Sequence, residues 1–208
     1  MTDLKVWEAE DWMELMKACS KTQEYLITSV LNLKYSIERN RKHTLLRSIS
    51  GRLKTLESIK HKLARLNLEV SPQAASISLH DIVGIRVICS YINDIAQVVD
   101  AIEEIENFEI TEIKDYISNP KPSGYRSLHV IGICTASGYP VQCEIQLRTT
   151  AMDSWAALEH QLRYKKSIPK SQYVNEQLLH CSSILFESDE IMQKIHDYLD
   201  NLGPDDEE

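Results

Sequence analysis

Apolar residues recur at helical spacing over residues 8–40, where Leu26, Val30, Leu33 and Ile37 mark one stripe. Gly51 interrupts the pattern. RLKTLESIKHKLARL then places Leu53, Leu56, Ile59, Leu63 and Leu66 on one face, predicting a helix that begins near Arg52. SPQAASI reads as a loop, and DIVGIRVICSYI, apolar and rich in β-branched residues, as a buried strand. Residues 93–106 return to helix and FEITEIKDYI to strand, and NPKPSGYRS is the strongest loop signal in the chain. LHVIGICTA and YPVQCEIQLR predict a strand pair around the Ser137-Gly138 turn. A helix over about 151–164 carries Met152, Trp155, Leu158 and Leu162 at helical spacing, which suits core packing better than ligand contact. Ser167 to Lys170 breaks it. The last helix, over 175–202, has Leu178, Cys181, Leu185, Met192, Ile195, Leu199 and Leu202 as its stripe, and GPDDEE is a solvated tail. Helices, a mixed sheet with interleaved helices, then helices again predict an α+β protein. The expected organisation is an N-terminal helical segment over 1–50, a core over 51–165, and a C-terminal helix with acidic tail over 166–208 that is part of the same domain.

Charge changes the picture. The 208 residues hold 23 Lys and Arg against 31 Asp and Glu, a formal net charge of −8, which argues against a general nucleic-acid binder. Between Lys34 and Arg65, however, ten basic and two acidic residues give +8, leaving −16 for the rest. A cationic island in an acidic chain points to a local anionic ligand. At 43% hydrophobic and 26% charged residues the composition is that of an ordinary soluble protein. No window approaches a membrane span, and the acidic, interrupted N-terminus is unlike a secretory signal. Five scattered cysteines without a C-x-x-C pair read as small buried hydrophobes and suggest a reducing, cytoplasmic setting.

Four segments carry candidate chemistry. Lys54, Ser58 and Lys62, spaced by four, would share a helix face with Arg52 at its N-terminus, and either grip a polyphosphate or form a solvated cationic face. Asp81 opens the buried strand as a metal ligand or cap, and Arg86 sits among apolar neighbours where a salt bridge would also explain it. Strict alternation in VQCEIQLR puts Gln142, Glu144, Gln146 and Arg148 opposite Val141, Cys143, Ile145 and Leu147. Two carboxylates from separate strands, Asp81 and Glu144, are what a magnesium–nucleotide site supplies. The loop PKPSGYRSLH gathers Lys121, Tyr125, Arg126, Ser127 and His129, suited to stacking on a base and holding phosphates, or a surface turn with incidental charges. The dipeptides His80-Asp81 and His196-Asp197 lack the further ligands of a helical metal-dependent phosphohydrolase.

Taken together, GRLKTLESIKHKL (51–63), HDIVGIRVIC (80–89), DYISNPKPSGYRSLH (115–129) and EIQLRTTAMDSWAALEHQLRYK (144–165) resemble the synthetase domain of the RelA/SpoT homologue family, in particular its small alarmone synthetases. The resemblance implies a nucleotidyltransferase-like fold, a mixed β-sheet flanked by helices with N- and C-terminal helices. It also implies transfer of the β,γ-diphosphate of ATP to the 3′-hydroxyl of GDP or GTP with Mg²⁺, releasing AMP. Carried over, Arg52 and Arg86 would sandwich adenine; Lys54, Ser58 and Lys62 would hold the ATP phosphates; Asp81 would ligate magnesium, and Glu144 would assist the metal or act as base. Tyr125 would stack on guanine, with Lys121, Ser123, Gly124, Arg126, Ser127, His129 and Gln146 around the acceptor. Small synthetases tend to be homotetramers, and the terminal stripe suits either an interface or internal packing. Some members bind the alarmone or RNA at a regulatory site between subunits, but LLRSIS lacks the aromatic associated with that type. Two alternatives remain: a toxin-like relative that uses an adenine nucleotide or tRNA as acceptor, which the −16 remainder disfavours for tRNA, and a non-catalytic nucleotide-sensing module.

Overall fold

A computed structural model describes residues 11–39, 43–165 and 172–202. Arg41, Lys42, the break at 167–170 and the acidic tail from Gly203 lie outside the described residues. The elements run α1 (Trp12–Glu38), β1 (Leu46–Leu53), α2 (Leu56–Arg65), α3 (Pro72–Ser78), β2 (Val83–Cys89), α4 (Ile92–Glu103), β3 (Phe108–Asp115), β4 (Leu128–Cys134), β5 (Val141–Thr149), α5 (Thr150–Lys165) and α6 (Gln172–Asp200). The strands form one sheet in the order β1-β2-β5-β4-β3. β2 and β5 are parallel and every other neighbouring pair is antiparallel, so the sheet is mixed, as expected.

Alternation decides the two faces. Val83, Ile85 and Val87 on β2 and Cys143, Ile145 and Leu147 on β5 are nearly or fully buried. They join Leu15, Cys19, Leu26 and Val30 of α1 and Ile95, Val98 and Ile102 of α4 in one core. α1 starts at Asp11, whose side chain accepts the Met13 N–H at 3.1 Å. Among the described residues no helix is long and apolar enough to cross a membrane.

Two elements differ from the pattern reading. Leu46–Leu53 is not helix or interruption but the edge strand β1, so it crosses the expected boundary at residue 50, and Arg52 lies on a strand. An edge strand with one face under α1 and the other open shows little apolar alternation. Gly51 belongs there for a packing reason: a Cβ would stand 2.7 Å from Ile27 Cδ1 and 2.8 Å from Gln23 of α1. SPQAASI also departs from expectation, because Ser71 and Pro72 start the helix α3. The Ser71 hydroxyl accepts the Ala74 N–H at 3.2 Å and Pro72 fills the first turn, where its missing N–H costs nothing.

The helical stripes are buried only in part. Met152 and Trp155 are buried, whereas Leu158 and Leu162 are exposed. Along α6 Met192, Ile195 and Leu199 are exposed, and Ser182 is its buried side chain among the described residues. Cys19, Cys89, Cys134 and Cys143 are free and buried, as expected, but Cys181 is exposed. Burial pushes the Cys19 thiol up to about 12.

Candidate active site

The polar face of the sheet is organised by register. Arg52 pairs with Gly84, and Gly84 pairs with Glu144, so the three lie in one row across β1, β2 and β5. In the next row Ser50, Arg86, Gln146 and His129 follow one another across four strands. Gly84 is the opening between them: a Cβ there would meet nothing nearer than the Arg52 carbonyl at 3.5 Å, so the floor between Arg52 and Glu144 stays clear. The result is a cleft of about 320 Å³ lined by residues that include Arg52, Lys54, Asp81, Arg86, Glu144 and Gln146.

One wall is built around Asp81. Lys54, in the short link between β1 and α2, donates to Asp81 Oδ2 at 2.8 Å, and Lys62 of α2 is paired with Oδ1 at 2.8 Å. Backbone pairing of the Lys54 N–H with the Ile82 carbonyl (2.9 Å) holds the two segments in place. Burial alone would raise the Asp81 carboxyl, but the hydrogen bonds and charges of the two lysines outweigh it and hold it below its ordinary value. Lys54 and Lys62 therefore meet at one anion, although they do not share a helix. Ser58 does not join them; it is exposed in the first turn of α2, where its N–H donates to the capping Thr55 Oγ1 and its own Oγ accepts the Thr55 hydroxyl.

The other wall is a hydrogen-bond ring around Glu144. Glu144 Oε1 takes His129 Nδ1–H at 2.7 Å and Oε2 takes the Gln146 amide at 2.8 Å. The Tyr125 hydroxyl donates to His129 Nε2 at 2.8 Å and accepts from Arg148 Nη2 at 2.7 Å, and Arg148 Nη2 also reaches Gln146 Oε1 at 2.8 Å. That order of donors assigns the Nδ1–H tautomer to His129. Burial pushes the Glu144 carboxyl up, yet the hydrogen bonds from His129 and the Gln146 amide prevail, leaving it below the usual range. The charge of Asp81 acts on Glu144 in the opposite sense, so the two carboxylates face one another electrostatically. Two acidic oxygen donors on one cleft fit a hard divalent cation such as magnesium.

Arg148 and Asp153 are site residues that the pattern reading missed. Arg148 is 4% exposed, and its Nη1 donates to Asp153 Oδ1 at 2.9 Å. The same oxygen lies 3.3 Å from Arg86 Nη1. The alternation in VQCEIQLR had already placed Arg148 on the polar face, but its partner comes from the first turn of α5, which strand alternation does not reach. Tyr116 is a third addition: Lys121 Nζ lies 4.4 Å from its ring centroid and 4.8 Å from that of Tyr125, with His129 edge-on to both rings.

The rest of the loop makes its contacts away from the cleft. The Ser127 hydroxyl is fully buried and donates to the Leu147 carbonyl at 3.0 Å. Arg126 bonds the Ile117 carbonyl and stacks on Phe186 of α6 at 3.9 Å. Ser123 Oγ accepts the Tyr125 N–H at 3.4 Å, within the loop. Gly124, at φ +91°, closes the turn from Lys121 and lies against α6, where the Ser182 hydroxyl donates to its carbonyl. Arg126 and Gly124 hold the loop on α6, Ser127 holds it on β5 and Ser123 bonds within it, and none of the four lines the cleft.

Comparisons with known proteins show what the chain as a whole is similar to. Residues 51–169 match the family model described as a region found in RelA / SpoT proteins. The chain is 36% identical over 207 residues to GTP pyrophosphokinase YwaC of Bacillus subtilis (strain 168), covering 96% of this chain and 97% of that one. It superposes on the small alarmone synthetase 2 of B. subtilis with a TM-score of 0.80, at 33% identity, over 91% of this chain and 100% of that one. The small alarmone synthetase 1 of B. subtilis bound to its product pppGpp matches with a TM-score of 0.79, at 28% identity, over 90% and 97% of the two chains.

Proposed function

We propose, from the premise that this chain belongs to the RelA/SpoT family, that it is a small alarmone synthetase, a GTP pyrophosphokinase that makes (p)ppGpp. It moves the β,γ-diphosphate of ATP to the 3′-hydroxyl of GDP or GTP and releases AMP. The observation that carries this reading is the pair Asp81 and Glu144 on one cleft, with Arg52, Lys54, Lys62 and Arg86 around it.

ATP lies along the Asp81 wall. Arg52 and Arg86, in neighbouring rows of the sheet, offer guanidinium planes for adenine. Lys54 and Lys62, which meet at Asp81, turn to the incoming phosphates, and Ser58 stands at the α2 N-terminus beyond them. Asp81 and Glu144 would hold magnesium, which when bound neutralises charge on the transferred diphosphate. The acceptor lies over Tyr125, Tyr116 and Lys121, a platform of two rings and an ammonium. Glu144 takes the proton of the 3′-hydroxyl as that oxygen bonds the β-phosphorus and the bond to the AMP oxygen breaks. His129 fixes the Glu144 carboxylate through Nδ1–H, and Tyr125 fixes His129 in turn. The exposed apolar side chains of α6 suit packing against further copies, in line with a tetramer, and the buried free cysteines suit a cytoplasmic setting.

The test is the acceptor. Purified protein with labelled ATP, magnesium and GDP or GTP should release AMP and label a guanine nucleotide. Transfer to ADP or tRNA instead would favour the toxin-like reading. Absence of AMP with every acceptor would leave the nucleotide-sensing module.

A further inference from the structure

At the far end of β1 and β2 from the cleft, where Leu46 pairs with Cys89, side chains from three segments converge. His43 precedes β1, Asp94 lies in the first turn of α4, and His196 and Asp200 are one turn apart on α6. Asp94 is 3% exposed; its Oδ2 accepts the Tyr91 backbone N–H at 3.0 Å and its Oδ1 faces His43 Nε2 at 3.1 Å. A carboxylate only accepts, so Nε2 of His43 carries the hydrogen and the neutral ring turns a lone pair outward from Nδ1. That lone pair meets His196 Nε2 at 3.1 Å, across 153 residues of sequence. Behind His196, Asp200 Oδ2 stands 3.5 Å and Asp197 Oδ1 4.0 Å from Nδ1, which is closed off from solvent and has no hydrogen-bond partner among the described residues.

Neither neutral tautomer of His196 satisfies this array. With its hydrogen on Nε2, the ring aims a buried lone pair at two carboxylates. With its hydrogen on Nδ1, toward those carboxylates, two imidazole lone pairs face each other across 3.1 Å. A cation between them resolves the second arrangement. Two nitrogens each about 2.0–2.1 Å from a tetrahedral ion stand roughly 3.3 Å apart, close to the spacing here. Carboxylates behind both rings are the usual means of fixing metal-binding imidazoles. The Tyr91 ring, with its centroid 4.2 Å from that of His196 and 5.6 Å from that of His43, closes one side.

We propose that His43 Nδ1 and His196 Nε2 bind a zinc-like transition-metal ion, with Asp94 and Asp200 as the carboxylates that fix the two rings from behind; His43, His196 and Asp200 each place a donor atom within 4.8 Å of the others. Imidazole donors select zinc, cobalt or nickel over magnesium, so this site and the oxygen-rich cleft take different ions. The ion staples the end of α6 to the start of β1 and to α4, which α6 already meets where Gln193 Oε1 accepts the Asn93 N–H at 2.9 Å.

Chelator-stripped full-length protein is titrated with Zn²⁺ by calorimetry and with Co²⁺ by visible absorption. One ion per chain is expected, with a melting temperature that rises with zinc, and millimolar Mg²⁺ does not compete. His43→Ala and His196→Ala should each weaken binding at least tenfold, and Asp94→Asn about 10–100-fold through its hold on His43. Asp200→Asn, at an exposed carboxylate, keeps a measurement available if a histidine variant unfolds; it should weaken zinc binding with the circular dichroism spectrum unchanged. No saturable Zn²⁺ or Co²⁺ binding by the wild type would overturn the proposal. So would binding that survives the double histidine variant, which places the ion elsewhere. A melting temperature that follows pH but ignores zinc would also overturn it, because the rings would then share a proton instead of a metal.

Discussion

On one wall of the cleft Asp81 is held by two lysine ammonium groups that reach it on flexible stems from either side of a helix start. On the other wall Glu144 is held by an imidazole and an amide that are themselves fixed by Tyr125 and Arg148. Both carboxyls lie below their ordinary values and both overcome burial to do so, but the causes differ. Ammonium groups are compact point charges that can change partners when phosphates arrive. A ring of directional hydrogen bonds gives one carboxylate one orientation. The contrast divides the labour: the first wall adapts to a polyanion and the second positions a proton acceptor.

Removing either carboxylate should have the largest effect. Asp81→Asn and Glu144→Gln should each lower AMP release by about a thousandfold or more, with the circular dichroism spectrum unchanged. Near-normal turnover in either would end the division. The next test separates the walls. His129→Ala should slow synthesis by about a hundredfold. It should also move the acid limb of the rate profile: without His129, burial prevails, the Glu144 carboxyl rises, and the base is lost at a higher pH than in the wild type. An unmoved acid limb would make His129 a packing residue. The smallest effect belongs to the adaptable wall. Lys62→Met should raise the KM for ATP by roughly tenfold with a lesser change in kcat, because Lys54 remains at Asp81. A kcat loss as deep as that of the His129 variant would show that the first wall is as rigid as the second.

Much of this was legible along the chain. β2, β4 and β5 announced themselves by β-branched runs and alternation, and Asp81, Glu144, Arg52, Arg86, Lys54 and Lys62 do converge. β1 was hidden because an edge strand covered on one side has no apolar run. α3 was hidden because Ser-Pro is a turn signal as well as a helix start. Ser127 and Arg126 looked like phosphate ligands because a hydroxyl and a guanidinium in a Gly-Pro loop carry no mark of direction. Only the fold shows one bonding Leu147 and the other stacked on Phe186.

Local sequence therefore determined most of the elements, the two faces of β5 and the kind of chemistry available, since periodicity and side-chain chemistry act over a few residues. Tertiary structure decided the rest. That Arg52, Gly84 and Glu144 share a row depends on the register of three strands, and a period of two has no preferred alignment between them. That Arg148 meets Asp153, and His43 meets His196, depends on how helices dock at the strand ends. Those contacts are set by packing over long sequence separations, which no single segment encodes.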